Sequence, residues 1–309
     1  MASTFGVGTY RYELAKGWPK EKINGVAADV ALDSKGRAYV AVRSPVNGEA
    51  ASIGPGRGTV LVLDRDGKRV SDWGEIFSAP HGIWVSKDDE VFHADTGFHL
   101  VTMHTTSGRV QLSLGTRGKT GPAGSPFNMP TRAKRAANGD IIVSDGYGQN
   151  RVHRYSPKGE LIKSWGSGDP VFYQQWAKLP VTGKAGTGPG QFNLPHDVNT
   201  DAAGNVYVMD RTNNRCQVFN MDGKYLREWS DVRGPNDSFI DRHGVMHIVS
   251  AAGVELRSLD GKLVGRWGEK GNAPGQFAGS PHGVWIDPDE SIYIAEVGGL
   301  NRLQKFVRA

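Results

Sequence analysis

The chain has 309 residues, with 42 glycines, 16 prolines and 38% hydrophobic residues, a composition that suits many short strands joined by tight turns. No window approaches the uninterrupted apolar length of a membrane helix, so no membrane partner is expected. The net charge of +5 comes from scattered basic residues, which argues against a nucleic-acid partner and fits a cavity for anionic ligands.

The N-terminal "MASTFGVGTYRYELAKGW" lacks the basic flank and apolar core of a secretory leader. A single cysteine, Cys216, makes no internal disulfide. Together these predict a cytoplasmic protein. Within the same region, "YRYELAKGWPK" (10–20) has the pattern of a segment found much later, "GKYLREWSD".

From there the chain repeats itself. The first repeat leads from Ala27 to the turn "SKGR", and the second from Pro80 to "KDDE". Pro130 leads to "ANGD", Pro195 to "AAGN", Pro235 to "RHGV" and Pro281 to "PDES". After each turn comes an alternating segment, such as "RAYVAV", "EVFHAD" or "NVYVMD", the period-two pattern of a half-buried strand. A third strand follows ("RVHRY", "RCQVF", "GVELRS"), then a turn such as "NMDGK", then an outer strand ending in tryptophan ("LIKSWG", "YLREWS", "LVGRWG"). Trp73, Trp165, Trp229 and Trp267 read as core between neighbouring units. Six four-stranded units define an all-β, six-bladed β-propeller, a single domain over 1–309. The sixth unit stops at "NRLQKFVRA" without its outer strand, so residues 10–20 are predicted to complete it and close the ring.

The residue after the aligned proline is Ala28, His81, Thr131, His196, Asn236 and His282 in blade order. The histidines fall on alternate blades, which stand roughly 120° apart in a six-part ring. This key position opens the innermost strand, so three imidazoles converge on the axis. Three protein ligands with an open position are the pattern of a catalytic metal site, and zinc suits them, with other divalent transition metals also taken by imidazole. A lone Pro-His before a strand is ordinarily a polar loop residue; three on alternate blades are hard to obtain by duplication alone.

Fifteen residues beyond the key position lie Arg43 on blade one and Arg211 on blade four, with Tyr147 at the neighbouring position on blade three. Two guanidiniums on opposite walls form a clamp for a carboxylate, and a phenol beside them is placed to serve as a base. The plain alternatives are a salt bridge to Asp210 or Asp145 for an arginine and simple packing for the tyrosine. The longest break in the repeat, 166–191, carries Phe172, Tyr173 and Trp176, predicted to form an aromatic wall over the substrate. A second rim loop is "VNGEAASIGPGRG" (46–58).

The motifs "PHGI" (80–83), "VSDGYGQNRV" (143–152), "PHDV" with "VMDRTNNRCQVF" (195–219) and "PHGV" (281–284) resemble the NHL-repeat propellers, and within them peptidyl-α-hydroxyglycine α-amidating lyase. The resemblance covers nearly the whole chain. It implies a catalytic zinc on His81, His196 and His282, Tyr147 as base, and Arg211 and Arg43 as substrate-binding residues. It also implies cleavage of a carbinolamide to an amide and glyoxylate. The family's structural calcium takes an aspartate directly after the third histidine, where this chain has Gly283, leaving only backbone oxygens near Val30 and Ile83. Ser280 stands where the family has methionine, and the disulfides of its secreted members are absent. The same parts also suit a zinc hydrolase acting on a lactone, ester or amide, and the fold alone suits a non-catalytic binding scaffold. The expected partner is a small, carboxylate-bearing molecule.

Overall fold

Alternating apolar residues and tight turns place six antiparallel sheets around one axis. The structure, a computed structural model, describes residues 4–43, 58–120, 127–166 and 185–309. All its regular elements are strands, and five of the six sheets follow chain order from the axis outward. Blade two shows the pattern: Pro80–Val85 innermost, then Val91–Asp95, Leu100–His104 and Val110–Leu114. The other innermost strands are Val26–Leu32, Arg132–Arg135, Pro195–Thr200, Asp237–Ile240 and Ser280–Ile286.

The sixth sheet takes its outer strands from the other end of the chain. Tyr10–Leu14 pairs with Leu303–Arg308, in the register Tyr12 to Arg308 and Leu14 to Phe306. A further strand, Thr4–Val7, adds a fifth to this sheet, an element with no counterpart in the repeat. The Trp18 indole N–H then donates to the Arg65 carbonyl at 3.2 Å, tying this segment to blade one.

The core has no single centre. It consists of six apolar clusters, each shared by two adjacent blades, including one between blades six and one. Trp229 and Trp267 are buried in two of these clusters, and Trp73 and Trp165 pack against two others. The indoles explain two glycines of the neighbouring turns. Gly108 and Gly223 have positive φ, and a Cβ there would lie 2.6 Å from Trp73 and 2.8 Å from Trp165. Glycine meets both demands at once.

Blade contacts around the whole ring hold each innermost strand, so closing the ring also stiffens the axis. Tyr12 is 1% exposed and stacks on Trp267 with centroids 5.6 Å apart. Tyr12→Ala should therefore cost about 3–5 kcal/mol, read as a lower urea midpoint with an unchanged slope. A second expectation concerns His93, buried and stacked on Phe77 at 4.1 Å, with neither ring nitrogen hydrogen-bonded among the described residues. Burial, with a smaller effect of His104, holds its pKa well below 6.5. The unfolded chain therefore binds one more proton as pH falls through about 6.5, so this stability is full above that pH and lost below it. In His93→Phe the pH dependence of unfolding below 6.5 should flatten by about one proton, or about 1.4 kcal/mol per pH unit.

Candidate metal centre

Bulges shape the axial end of four innermost strands. The pairing register slips between Ala27 and Asp29, Pro80 and Ile83, Pro195 and Asp197, and Pro281 and Gly283. A bulge re-aims side chains, and here it turns the key residue toward the axis along with its successor. The approach to these strands is pinned by carboxylates of the same blade. Asp95 accepts the N–H groups of Ser78 and Ala79 at 2.8 and 2.9 Å, and Asp210 accepts that of Asn193 at 2.7 Å.

His81, His196 and His282 meet at the axis, all buried. Their ring centroids stand 4.8, 4.8 and 5.0 Å apart, close to an equilateral triangle, and their ligand nitrogens lie within 4.8 Å of one another. Three nitrogens at about 2.1 Å from one tetrahedral ion stand about 3.4 Å apart, so binding needs only a small inward turn of the rings.

Each Nδ1 faces a backbone carbonyl of the next blade: Thr131 at 2.9 Å for His81, Asn236 at 2.5 Å for His196, and Ala28 at 2.7 Å for His282. A carbonyl only accepts, so each Nδ1 carries the proton and each Nε2 keeps its lone pair. Thr131, Asn236 and Ala28 are the key residues of the three blades without histidine. Alternate blades thus supply ligands, and the blades between them supply the acceptors that orient those ligands. Burial is the first cause holding all three imidazoles well below pH 6.5, followed by their cationic and imidazole neighbours. They are neutral at pH 7 and ready to bind a transition metal.

Tyr147 joins them. Its Oη lies 3.1 Å from His81 Nε2 and 2.9 Å from His196 Nε2. Arg211 Nη1 approaches the same oxygen at 3.4 Å. The salt bridge weighed for Arg211 does not form with Asp210, which pairs instead with Arg215 at 2.8 Å. Asp145 pairs with His153 at 3.2 Å and accepts the Asn128 N–H. On blade one, Arg43 donates from Nε to the Pro80 carbonyl at 2.7 Å, and its buried Nη2 has no hydrogen-bond partner among the described residues. Arg43 lies close enough to His81 and His282 to act on their charge, and Arg211 to His196 and His282. Phe172, Tyr173 and Trp176 lie outside the described residues, as does nearly all of 46–58.

One residue further along the innermost strands lies a layer that the histidine register did not flag. Its members are Asp29, Gly82, Arg132, Asp197, Asp237 and Gly283. The Arg132 guanidinium fills the axis here, with Nε 2.9 Å from Asp237 and Nη2 3.2 Å from Asp29. The signal was present in the sequence as three aspartates and an arginine at one repeat position. The structural calcium implied by family resemblance does not fit this layer. Gly283 brings no carboxylate, the Val30 and Ile83 N–H groups point at Asp29, and a guanidinium stands among the acids.

Fold and axis together define an NHL-type propeller with a three-histidine centre. The chain belongs to the family of NHL repeat-containing protein 3. The human member is 31% identical over 319 residues, spanning 96% of this chain and 84% of its own length. Peptidyl-alpha-hydroxyglycine alpha-amidating lyase 1 of Drosophila melanogaster is 27% identical over 321 residues, covering 93% of this chain and 54% of the lyase. No family model matches the chain. Among solved structures, a Xanthomonas campestris gluconolactonase superposes with a TM-score of 0.66 at 16% identity, covering 100% of this chain and 95% of its own. Virginiamycin B lyase from Staphylococcus aureus does so at 0.59 and 14%, covering 95% and 88%. At these identities the structures attest the propeller fold alone. Among the described residues no helix is long and apolar enough to cross a membrane.

The centre predicts one transition-metal ion per chain by elemental analysis. His196→Ala should weaken binding by more than about tenfold, whereas His243→Ala, a half-exposed histidine paired with Glu290, should leave it unchanged.

Proposed function

We propose that this chain is a zinc-dependent lyase that cuts the C–N bond of an α-hydroxyglycine-like carbinolamide, giving an amide and glyoxylate. One observation carries the reading: the Tyr147 oxygen sits 3.1 and 2.9 Å from two ligand nitrogens and 3.4 Å from an arginine. A candidate base, a metal-binding triad and a carboxylate-binding cation thus lie within the span of one small substrate. The Drosophila relative, named as an amidating lyase, supports the same chemistry. Three neutral imidazoles suit Zn²⁺, and Fe, Co, Ni and Cu are also taken by such ligands.

Bound to His81, His196 and His282, zinc would act as a Lewis acid on the substrate hydroxyl and lower its pKa. Arg43 and Arg211 hold the substrate carboxylate and fix its orientation. The Arg43 Nη2 is a buried donor with no partner among the described residues, and a carboxylate oxygen there satisfies it. In its phenolate form Tyr147 Oη takes the hydroxyl proton. The oxygen's electron pair becomes the second bond of the new aldehyde as the C–N bond breaks. The nitrogen keeps that bond's electrons and leaves as a neutral amide with the proton that Tyr147 Oη took up.

The direct test uses N-benzoyl-α-hydroxyglycine in ¹⁸O-water. The reading expects benzamide and glyoxylate, with no label in the benzamide. Turnover of lactones or esters in its place would identify a hydrolase, and metal binding without turnover of any of these would identify a scaffold. Tyr147→Phe should lower kcat by about 10²-fold or more. Arg211→Ala should raise KM by about tenfold or more, the cost of one charge-assisted hydrogen bond.

A further inference from the structure

We infer that Arg132 is a cation supplied by the protein itself, filling the axial place that a divalent ion would otherwise take between three aspartates. The layer beside the histidines therefore needs no metal ion of its own.

Asp29, Asp197 and Asp237 come from three different blades and converge on one side chain. Arg132 Nη2 lies 3.2 Å from Asp29, and its Nε lies 2.9 Å from Asp237 and 3.8 Å from Asp197. Lys134 Nζ adds contacts of 2.8 Å to Asp197 and 3.5 Å to Asp237. Carboxylates gathered from separate elements are what a hard divalent cation takes as ligands. Here a guanidinium occupies the gathering point with its side chain 2% exposed.

The carboxylates are fixed from behind. Val30 and Ile83 each donate a backbone N–H to Asp29 at 2.8 Å. Ser238 and Val284 donate to Asp237 at 2.8 and 2.7 Å, and Ser238 donates to Asp197 from both its N–H, at 2.9 Å, and its hydroxyl, at 2.6 Å. Three carboxylates against Arg132 and Lys134 leave a formal charge of −1. Without Arg132 the same groups leave a formal charge of −2, which one divalent cation neutralises.

Space points the same way. A Cβ on Gly82 would lie 2.5 Å from Arg132 Cγ, and a Cβ on Gly283 would lie 2.1 Å from Asp29 Oδ1. The two side-chain-free blades of this layer make room for the stem of Arg132 and for its partner Asp29. Arg132 Nη2 also donates to the His282 carbonyl at 2.7 Å, so the same cation braces a strand that carries a metal ligand. Arg132 is a positioning residue.

The experiment compares wild type and Arg132→Ala by thermal unfolding in EGTA and in millimolar calcium chloride, with sodium chloride at equal ionic strength as control. Wild type should contain no calcium after purification and melt at the same temperature in all three. Arg132→Ala should melt lower in EGTA and regain about 3 °C or more in calcium but not in sodium. If the variant is recovered only as aggregate, refolding in calcium decides: soluble protein supports the inference, and failure in calcium as in EGTA counts against it. Calcium in wild type, destabilisation of wild type by EGTA, or a folded variant indifferent to calcium would each overturn it. His196→Ala isolates this inference from the zinc reading, because that variant removes an imidazole and leaves the three carboxylates in place.

Discussion

The hydrogen bonds from each axial imidazole to the backbone carbonyl of the next blade are the contacts on which the site depends. They fix the tautomer, so the free lone pair points inward. They also fix ring orientation, because the acceptor is main chain and cannot swing away. Each spans a blade boundary, so it can form only when two neighbouring sheets stand at the right angle and spacing. The apolar clusters that set this spacing lie between the same pairs of blades, with indoles and the glycines facing them at the outer end. Packing at the rim and ligand geometry at the hub are thus two ends of one arrangement.

Along the axis the innermost strands stack chemistry in layers. The first is imidazole and carbonyl, with a phenol and two guanidiniums near it. The next is three carboxylates around a guanidinium and an ammonium. Beyond it come half-buried aromatics, with Phe239 and Trp285 meeting edge to face at 5.0 Å. Bulges at the key position make the first two layers possible, because a regular strand would turn consecutive residues to opposite faces. The polar centre is costly to bury, and backbone N–H groups and carbonyls satisfy much of it, while Arg132 Nε and Nη1, Asp197 Oδ1 and Asn236 Oδ1 have no hydrogen-bond partner among the described residues. Arg43 Nη2 is likewise buried without a partner among the described residues.

Much of this was legible in the sequence because a repeat supplies its own alignment. Once the turns were placed in register, the three histidines could be assigned to alternate blades without any coordinates. The missing outer strand of the last repeat pointed to the N-terminal segment. What stayed illegible depended on geometry between repeats. The Nδ1 acceptors are carbonyls, which every residue has, so no residue type announces them. Arg132 and Lys134 look like the exposed basic residues of an ordinary strand, and only the convergence of three aspartates makes them interior. The Arg215 partnership of Asp210 could not be told from one with Arg211, since both arginines lie within five positions of that acid. The strand Thr4–Val7 has no copy elsewhere in the chain with which to align it.

The pairing of Tyr10–Leu14 with Leu303–Arg308 bears on how the molecule is made. During translation the earliest residues emerge long before their partners. Five sheets can assemble in order as they leave the ribosome, while the first strands wait with an unpaired edge. Closing the ring needs a contact between segments far apart in the sequence, an entropically slow one. Until it occurs, the innermost strand of the sixth sheet, which carries His282, lacks its full backing.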